Sequence, residues 1–252
     1  MAHNHVDNLS EEATDPVDSP PADSSSAKMA GSWRLFIAVI ALAIIAVLAY
    51  PMFQDNTTVS PETADTQADA PPIALSGPEA TAQANPNSAQ AQFGLGNAYV
   101  KSGQWDKAVI AYKKAIELDP NYQTAYANLG VVYYQQGKFD LAVSQYQKAI
   151  ELDPDDIEVA YNLGALYLQQ AVSSGDQPDP EKLQQAVAQL EQINQQAPQL
   201  AEPYFSLGVA YTILNETEKA IEAFETFLEY DTGQDPRASQ EAARYLQNLR
   251  GE

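Results

Sequence analysis

The sequence predicts an all-α fold of stacked helical hairpins behind one membrane-spanning helix, and three observations carry that expectation. The heptapeptide KAIELDP occurs at Lys114–Pro120 and again, unchanged, at Lys148–Pro154, 34 residues later. Leu-Gly pairs recur at Leu95-Gly96, Leu129-Gly130, Leu163-Gly164 and Leu207-Gly208, each followed three residues after the glycine by Tyr99, Tyr133, Tyr167 or Tyr211. Ahead of these repeats, Leu35–Phe53 (LFIAVIALAIIAVLAYPMF) runs 19 residues without a charge. At about 1.5 Å per helical residue, such a run is about as long as the hydrocarbon core of a bilayer is thick.

Residues 1–34 combine Pro16, Pro20, Pro21, the serine run Ser24–Ser26 and six acidic residues with few apolar side chains, the composition of a disordered tail. Residues 35–53 are expected to form a single transmembrane helix. Trp33 and Tyr50 flank it, Lys28 and Arg34 precede it, and no Lys or Arg follows until Lys101. The positive-inside rule then places the tail in the cytoplasm and the repeats outside it. Two other readings of the same run are a buried helix of a water-soluble core and a signal peptide cleaved after small residues such as Ala49. Residues 54–88 carry five acidic residues and no basic ones. They are expected to be a disordered linker with a span on the order of 33 Å by square-root scaling.

The folded part is expected at 89–252, with repeats at about 89–122, 123–156, 157–200 and 201–234. Further columns support this division: Ala108, Ala142, Ala186 and Ala220; then Tyr112, Tyr146, Leu190 and Phe224; then Ala115, Ala149, Ile193 and Phe227; then Pro120, Pro154 and Pro198. Leu, Gly and Tyr at this spacing share one face of a first helix, and the glycine admits a second helix at close range. Gly103 and Gly137 suit left-handed helix ends, and each proline stops a second helix. One hairpin cannot bury its apolar faces alone, so units of fixed length must stack. The third unit holds ten extra residues, expected as a loop at Ala171–Pro180 between its two helices. In the fourth, Asn215 replaces glycine and pairs with Glu218 in a capping-box pattern, while Thr232 replaces proline. A polar cap helix is expected at about 238–249.

This pattern of small and aromatic residues resembles the tetratricopeptide repeat (TPR) family over about two thirds of the chain. The resemblance implies a helical solenoid whose first helices line a concave groove. Within it, Phe93, Asn97, Lys101, Asn128, Tyr134, Tyr161, Asn162 and Phe205 are the candidate peptide-binding residues. Asn97 and Asn128 match the asparagines of the family's clamp for an acidic peptide terminus. The clamp's cationic places hold Phe93, Glu158 and Asn162 instead, so the expected ligand is neutral or basic.

Composition excludes several activities. With 13 Lys+Arg against 34 Asp+Glu the formal net charge is −21, which repels phosphate backbones, so no nucleic-acid partner is expected. There is no cysteine, and both histidines, His3 and His5, sit in the tail. The repeat region thus has no imidazole base or thiolate nucleophile, and neither catalysis, cofactor nor metal site is expected. Asp153, Asp155 and Asp156 are read as helix caps, because the glycine turn and terminal glutamate of a calcium loop are missing. The sequence therefore points to a noncatalytic, membrane-anchored scaffold that binds a protein or peptide partner, in an extracytoplasmic assembly. An accessory substrate-delivery subunit of an enzyme complex, as in cytochrome maturation, and a cytoplasm-facing adaptor are the alternatives.

Overall fold

Two local signals set the helix ends. In the first two units an Asp-Pro pair turns the chain after the second helix: these helices end at Leu118 and Leu152, with Asp119 and Asp153 extended beyond them. The Asp119 carboxylate accepts from the Asn121 amide at 3.0 Å, and Asp153 from Asp155 at 3.2 Å. After the first helices, Gly103 and Gly137 adopt φ of 69° and 70°. Their amides bond to Val100 and Tyr134 carbonyls, and the next amides reach back to Tyr99 and Tyr133, the paired bonds of a left-handed helix end. Asn215, with φ 59°, repeats this geometry in the fourth unit. The expected capping box with Glu218 is not formed, because Glu216 occupies the N-cap and makes no side-chain cap bond.

In this computed structural model the described residues are 76–173 and 177–251. They form ten helices: α1 (Ser76–Ala84), α2 (Ala89–Lys101), α3 (Trp105–Leu118), α4 (Gln123–Gln135), α5 (Phe139–Leu152), α6 (Ile157–Ser173), α7 (Pro180–Gln196), α8 (Glu202–Ile213), α9 (Thr217–Asp231) and α10 (Pro236–Arg250). Among the described residues there is no strand. Each helix packs on the next, so α2/α3, α4/α5, α6/α7 and α8/α9 are four stacked hairpins.

The glycine column sets the distance within each hairpin. A Cβ added to Gly96 would lie 2.5 Å from the Tyr112 ring, and at Gly130 and Gly208 it would lie 2.7 Å from Tyr146 and Phe224. At Gly164 the nearest atoms belong to Leu190, at 3.2 Å. The matching alanines Ala108, Ala142, Ala186 and Ala220 are completely buried. Close approach therefore comes from small residues on both helices.

A second column ties each hairpin to the one before it. The Tyr99 hydroxyl donates to Glu79 at 2.9 Å, Gln147 Nε2 donates to the Tyr167 hydroxyl at 2.8 Å, and Tyr211 donates to Glu191 at 2.5 Å. In the remaining junction Lys113 places its ammonium 5.9 Å from the centre of the Tyr133 ring. Four tyrosines at one repeat position thus meet a partner 20 residues earlier, three through the hydroxyl and one through the ring face.

Beyond the capping box, the structure corrects the sequence reading of the architecture in four places. The linker read at 54–88 ends in a helix, α1, whose Ala82 is buried and whose Glu79 receives the Tyr99 hydroxyl. The repeat simply continues upstream: Asn85-Pro86-Asn87 stands 34 residues before Asp119-Pro120-Asn121. The ten extra residues of the third unit are not all loop. Compared with α4/α5, four extend α6, three extend α7, and three lengthen the connection. Ala171 and Val172, expected in that loop, are buried on α6, and Asp179 caps α7.

At the other end α10 starts at Pro236, earlier than expected, because Asp235 accepts from the Arg237 and Ala238 amides at 3.0 Å each. It is a fifth first-type helix: Ala242 and Tyr245 stand 34 residues after Gly208 and Tyr211, and Tyr245 stacks on Phe224 at 4.8 Å. The last correction concerns localisation. No helix among the described residues is long and apolar enough to cross a membrane. The longest, α6 and α7, have 17 residues each, about 26 Å at 1.5 Å per residue, and both are built into the stack. The single-pass localisation, with a cytoplasmic N-terminus and external repeats, is therefore not upheld. The tail 1–34, the run 35–53 on which that reading rested and the linker up to residue 75 lie outside the described residues.

Two predictions test this architecture. Gly130→Ala forces the Tyr146 ring to move and is expected to destabilise the chain by about 1–3 kcal/mol. Gly94→Ala meets nothing within 4 Å and is expected to stabilise α2 by up to about 1 kcal/mol. Denaturant midpoints of the two variants should move in opposite directions. The second prediction concerns alkaline pH. Burial raises the pKa of Tyr112, Tyr146 and Tyr245 well above the usual tyrosine value and that of Tyr161 to about 12. Above pH about 10 the unfolded chain loses protons that the folded chain keeps, so stability falls as pH rises. Melting followed by circular dichroism should change little from pH 8 to 9.5 and drop steeply between pH 10 and 12.

Candidate peptide-binding groove

The inner layer of the stack is made of first helices. Of the helices that are not neighbours in sequence, α6 and α8, both first helices, touch directly. Side-chain hydrogen bonds also run from first helix to first helix at each of three junctions. Asn128 on α4 donates through Nδ2 to Asn97 Oδ1 on α2 at 3.1 Å. The Tyr134 hydroxyl donates to Gln169 Oε1 on α6 at 2.8 Å, and the Tyr161 hydroxyl lies 3.3 Å from Ser206 Oγ on α8.

These bonds decide what each expected site residue can do. Asn97 and Asn128 are half-buried and joined to each other; Asn97 Oδ1 also receives the Tyr112 hydroxyl at 2.6 Å. Asn162 is half-buried on α6, one repeat beyond Asn128. Phe93 is half-buried, its ring 4.9 Å from Tyr122 and 5.7 Å from Tyr112, with part of its surface left to solvent. Lys101 is exposed on the last turn of α2, where its charge favours the helix C-terminus.

Tyr134 and Tyr161 spend their hydroxyls within the stack. Tyr134 packs its ring on Phe139 at 5.7 Å, and burial pushes its pKa up, as it does for Tyr161. Their remaining ring surface is what a ligand could meet. Phe205 is corrected: it is 7% exposed, set edge-on to Phe224 at 5.7 Å and Phe227 at 5.2 Å, and belongs to the core between α8 and α9. The same repeat position is half-exposed at Phe93 and Tyr161, so repeat position alone did not distinguish lining from core.

The acidic cluster is used for capping: Asp156 Oδ1 accepts from the Val159 amide at 3.0 Å and Oδ2 from Gln123 Nε2 at 2.7 Å. Three residues that the sequence reading did not select belong to the inner layer's bonding. Tyr112 sat in the aromatic core column, where a hydroxyl distinguishes it from Phe224. Gln169 and Ser206 were visible as polar residues on the apolar first helices α6 and α8, and both are buried. Beside the groove's first turn, a hollow of about 440 Å³ lies between α1 and α2, next to Gly94, which stands where Asn128 and Asn162 stand in the following repeats.

A TPR repeat model matches residues 96–137 and 132–170, and a tetratricopeptide repeat model matches 201–233. The described residues form a TPR solenoid. Among solved structures, it resembles MamA with 25% identity, covering 64% of this chain and 88% of that one at a TM-score of 0.55. It also resembles YrrB, a TPR protein with an unusual peptide-binding site, with 24% identity, 68% and 81% coverage, and a TM-score of 0.55. Residues 41 to the end of MamA from Desulfovibrio magneticus RS-1 match with 20% identity, 77% and 97% coverage and a TM-score of 0.56. The last two likenesses concern the fold alone. A search of curated proteins finds no match.

The matches skip the stretch from 171 to 200, where the lengthened helices break the 34-residue register. The correction at Phe205 yields a testable contrast. Phe205→Ala opens a void in the TPR core and is expected to cost about 3–5 kcal/mol, while Phe93→Ala, already half-exposed, costs less. Urea unfolding of the two variants measures the difference.

Proposed function

We propose that this TPR protein is a noncatalytic scaffold that holds an extended, neutral or basic peptide segment of a protein partner along α2, α4 and α6. One observation carries the reading. Side chains of the inner layer are half-buried on these three helices, at Phe93 and Asn97 on α2, Asn128 on α4 and Tyr161 and Asn162 on α6, whereas Phe205 and Ser206, which stand on α8 where Tyr161 and Asn162 stand on α6, are buried. The ligand face would thus occupy the first three repeats, with Lys101, Tyr134 and the hollow beside Gly94 along its margin.

Asparagine suits this role because one side chain donates and accepts, as a peptide backbone does. The aromatic rings offer area to apolar or neutral ligand side chains. Residues 89–252 hold 11 basic and 23 acidic residues, net −12, so a basic flank on the partner would speed association. Exposed Glu158 stands where a clamp for acidic termini needs a cation. YrrB, a TPR protein of the same fold, has an unusual peptide-binding site.

The test is fluorescence anisotropy of the purified full chain against a library of N-acetylated, C-terminally amidated decapeptides of neutral and basic composition. Binding is expected, and Asn162→Ala or Phe93→Ala is expected to weaken it by about tenfold, equivalent to about 1.4 kcal/mol. Absence of binding across the library, or unchanged affinity in both variants, would overturn the reading.

A further inference from the structure

The outer layer of the stack carries apolar surface that the repeat does not require. Among the described residues the exposed large apolar side chains are Ile110 on α3, 69% exposed, and Leu141 on α5, 46% exposed. In the later repeats the column of Ile110 holds Ser144, Ala188 and Glu222, all exposed. The column of Leu141 holds Lys107 before it and Gln185 and Lys219 after it. The stack therefore accepts a small or polar residue at both places.

The two side chains flank one contact. Lys107 and Lys219 hold their ammonium groups 5.3 and 5.1 Å from the ring centres of Tyr99 and Tyr211, and by the repeat Leu141 takes that place beside Tyr133. The Tyr133 ring is approached from α3 by Lys113, at 5.9 Å. Ile110 stands three residues before Lys113, on the same side of α3. Ile110, Lys113 and Leu141 thus make one patch across α3 and α5, and neighbouring apolar side chains rimmed by charge mark contact sites.

The charge of this patch is opposite to that of the chain. Residues 107–114 and 141–148 hold four lysines, all exposed, and no carboxylate. The matching segments 185–192 and 219–226 hold one lysine and three glutamates, and the whole chain is at −21. Lys114 and Lys148 pair with Glu117 and Glu151 at 3.0 and 2.7 Å, but all four side chains are between 46% and 66% exposed. Pairs of this kind are held weakly and leave the lysines open to another anion.

We propose that this patch docks an acidic amphipathic helix of a partner protein, with two apolar side chains on Ile110 and Leu141 and carboxylates among Lys107, Lys113 and Lys114. The chain then joins two partners of opposite charge, one on each face. The outer site stands without the groove reading, and only the joining of two partners rests on it. A helix fits because apolar residues three or four apart share one face and leave its flanks for charge. A bilayer fits less well, since its sheet of negative charge would also lie against exposed Asp106, Asp140, Glu117 and Glu151 at the ends of the same helices.

The test is fluorescence anisotropy of the full chain against a library of N-acetylated, amidated helical peptides. Each has Leu, Ile or Phe at two positions one turn apart and Glu or Asp on both flanks, and a matched library carries Lys in place of every acid. Acidic members are expected to bind and their Lys counterparts are not. Ile110→Ser and Leu141→Gln install residues that the same columns carry elsewhere, and each is expected to weaken binding about tenfold. Lys113→Glu is expected to weaken it by more than that, because it reverses the central charge. The stack tolerates this change: glutamate is native at 191, where Tyr211 donates to it at 2.5 Å, and Tyr133 can do the same. Melting curves close to that of the unaltered chain show that the three variants fold.

Failure of every acidic peptide to bind, equal binding by the Lys library, or unchanged affinity in all three variants overturns the outer site, whatever the groove binds. Vesicles of anionic phospholipid are expected not to cosediment with the chain. Cosedimentation that Ile110→Ser abolishes overturns the assignment to a protein helix. With the acidic peptide at saturation, the groove decapeptide is expected to keep its affinity within about twofold, and competition between them overturns the joining of two partners.

Discussion

Everything in this molecule depends on how closely two helices of one hairpin can approach. At Gly96, Gly130 and Gly208 an aromatic ring from the second helix occupies the space in which a Cβ would sit. The contact is short because the glycine has no side chain and because alanines such as Ala108 and Ala142 leave room from the other side. Dispersion between packed atoms falls off steeply with separation, so a hairpin opened by even a fraction of an ångström would lose much of its gain. The contact fixes more than stability. At Gly96 it also holds Tyr112 where its hydroxyl donates to Asn97 on the inner face.

Between hairpins the chemistry is more varied than the geometry. The tyrosine three residues after each Leu-Gly pair finds glutamate, lysine, glutamine and glutamate in turn, and the contact survives each exchange. A phenol can donate, accept or present a ring face, so one residue type serves partners of opposite charge. A related latch recurs in register: Gln136 donates to Asp106 and Gln170 to Asp140, each pair displaced by one repeat from the other. Such position-specific pairs hold the stack in register where the apolar columns alone would tolerate sliding.

Much of this was legible in the sequence because repetition amplifies weak local signals. The Leu-Gly-Tyr and alanine columns located the helix faces, and Gly103, Gly137 and Asn215 located the turns. The helix α1 was missed because SGPEATAQA carries little apolar surface, although its Asn85-Pro86 turn kept the repeat's spacing. The inner face was read less well. Which first-helix side chains are exposed depends on how closely successive first helices approach, and α6 meets α8 tightly enough to bury Ser206, with Phe205 held edge-on to α9. No column of a single repeat records that spacing. The asparagines were found from their letters, but not the bonds that join Asn97 to Asn128 and to the Tyr112 hydroxyl on another helix.

The described helices begin with a second-type helix and end with a first-type one, so the repeat unit can be framed in another way. Divided as α1/α2, α3/α4, α5/α6, α7/α8 and α9/α10, they make five modules with none left over, four of which turn at or one residue before a proline: Pro86, Pro120, Pro154 and Pro198. In this frame the ten additional residues of the third repeat fall at a seam between modules and leave every module's own turn intact. At that seam most of the added length goes into α6 and α7 themselves, so two modules meet there over the longest helices of the stack.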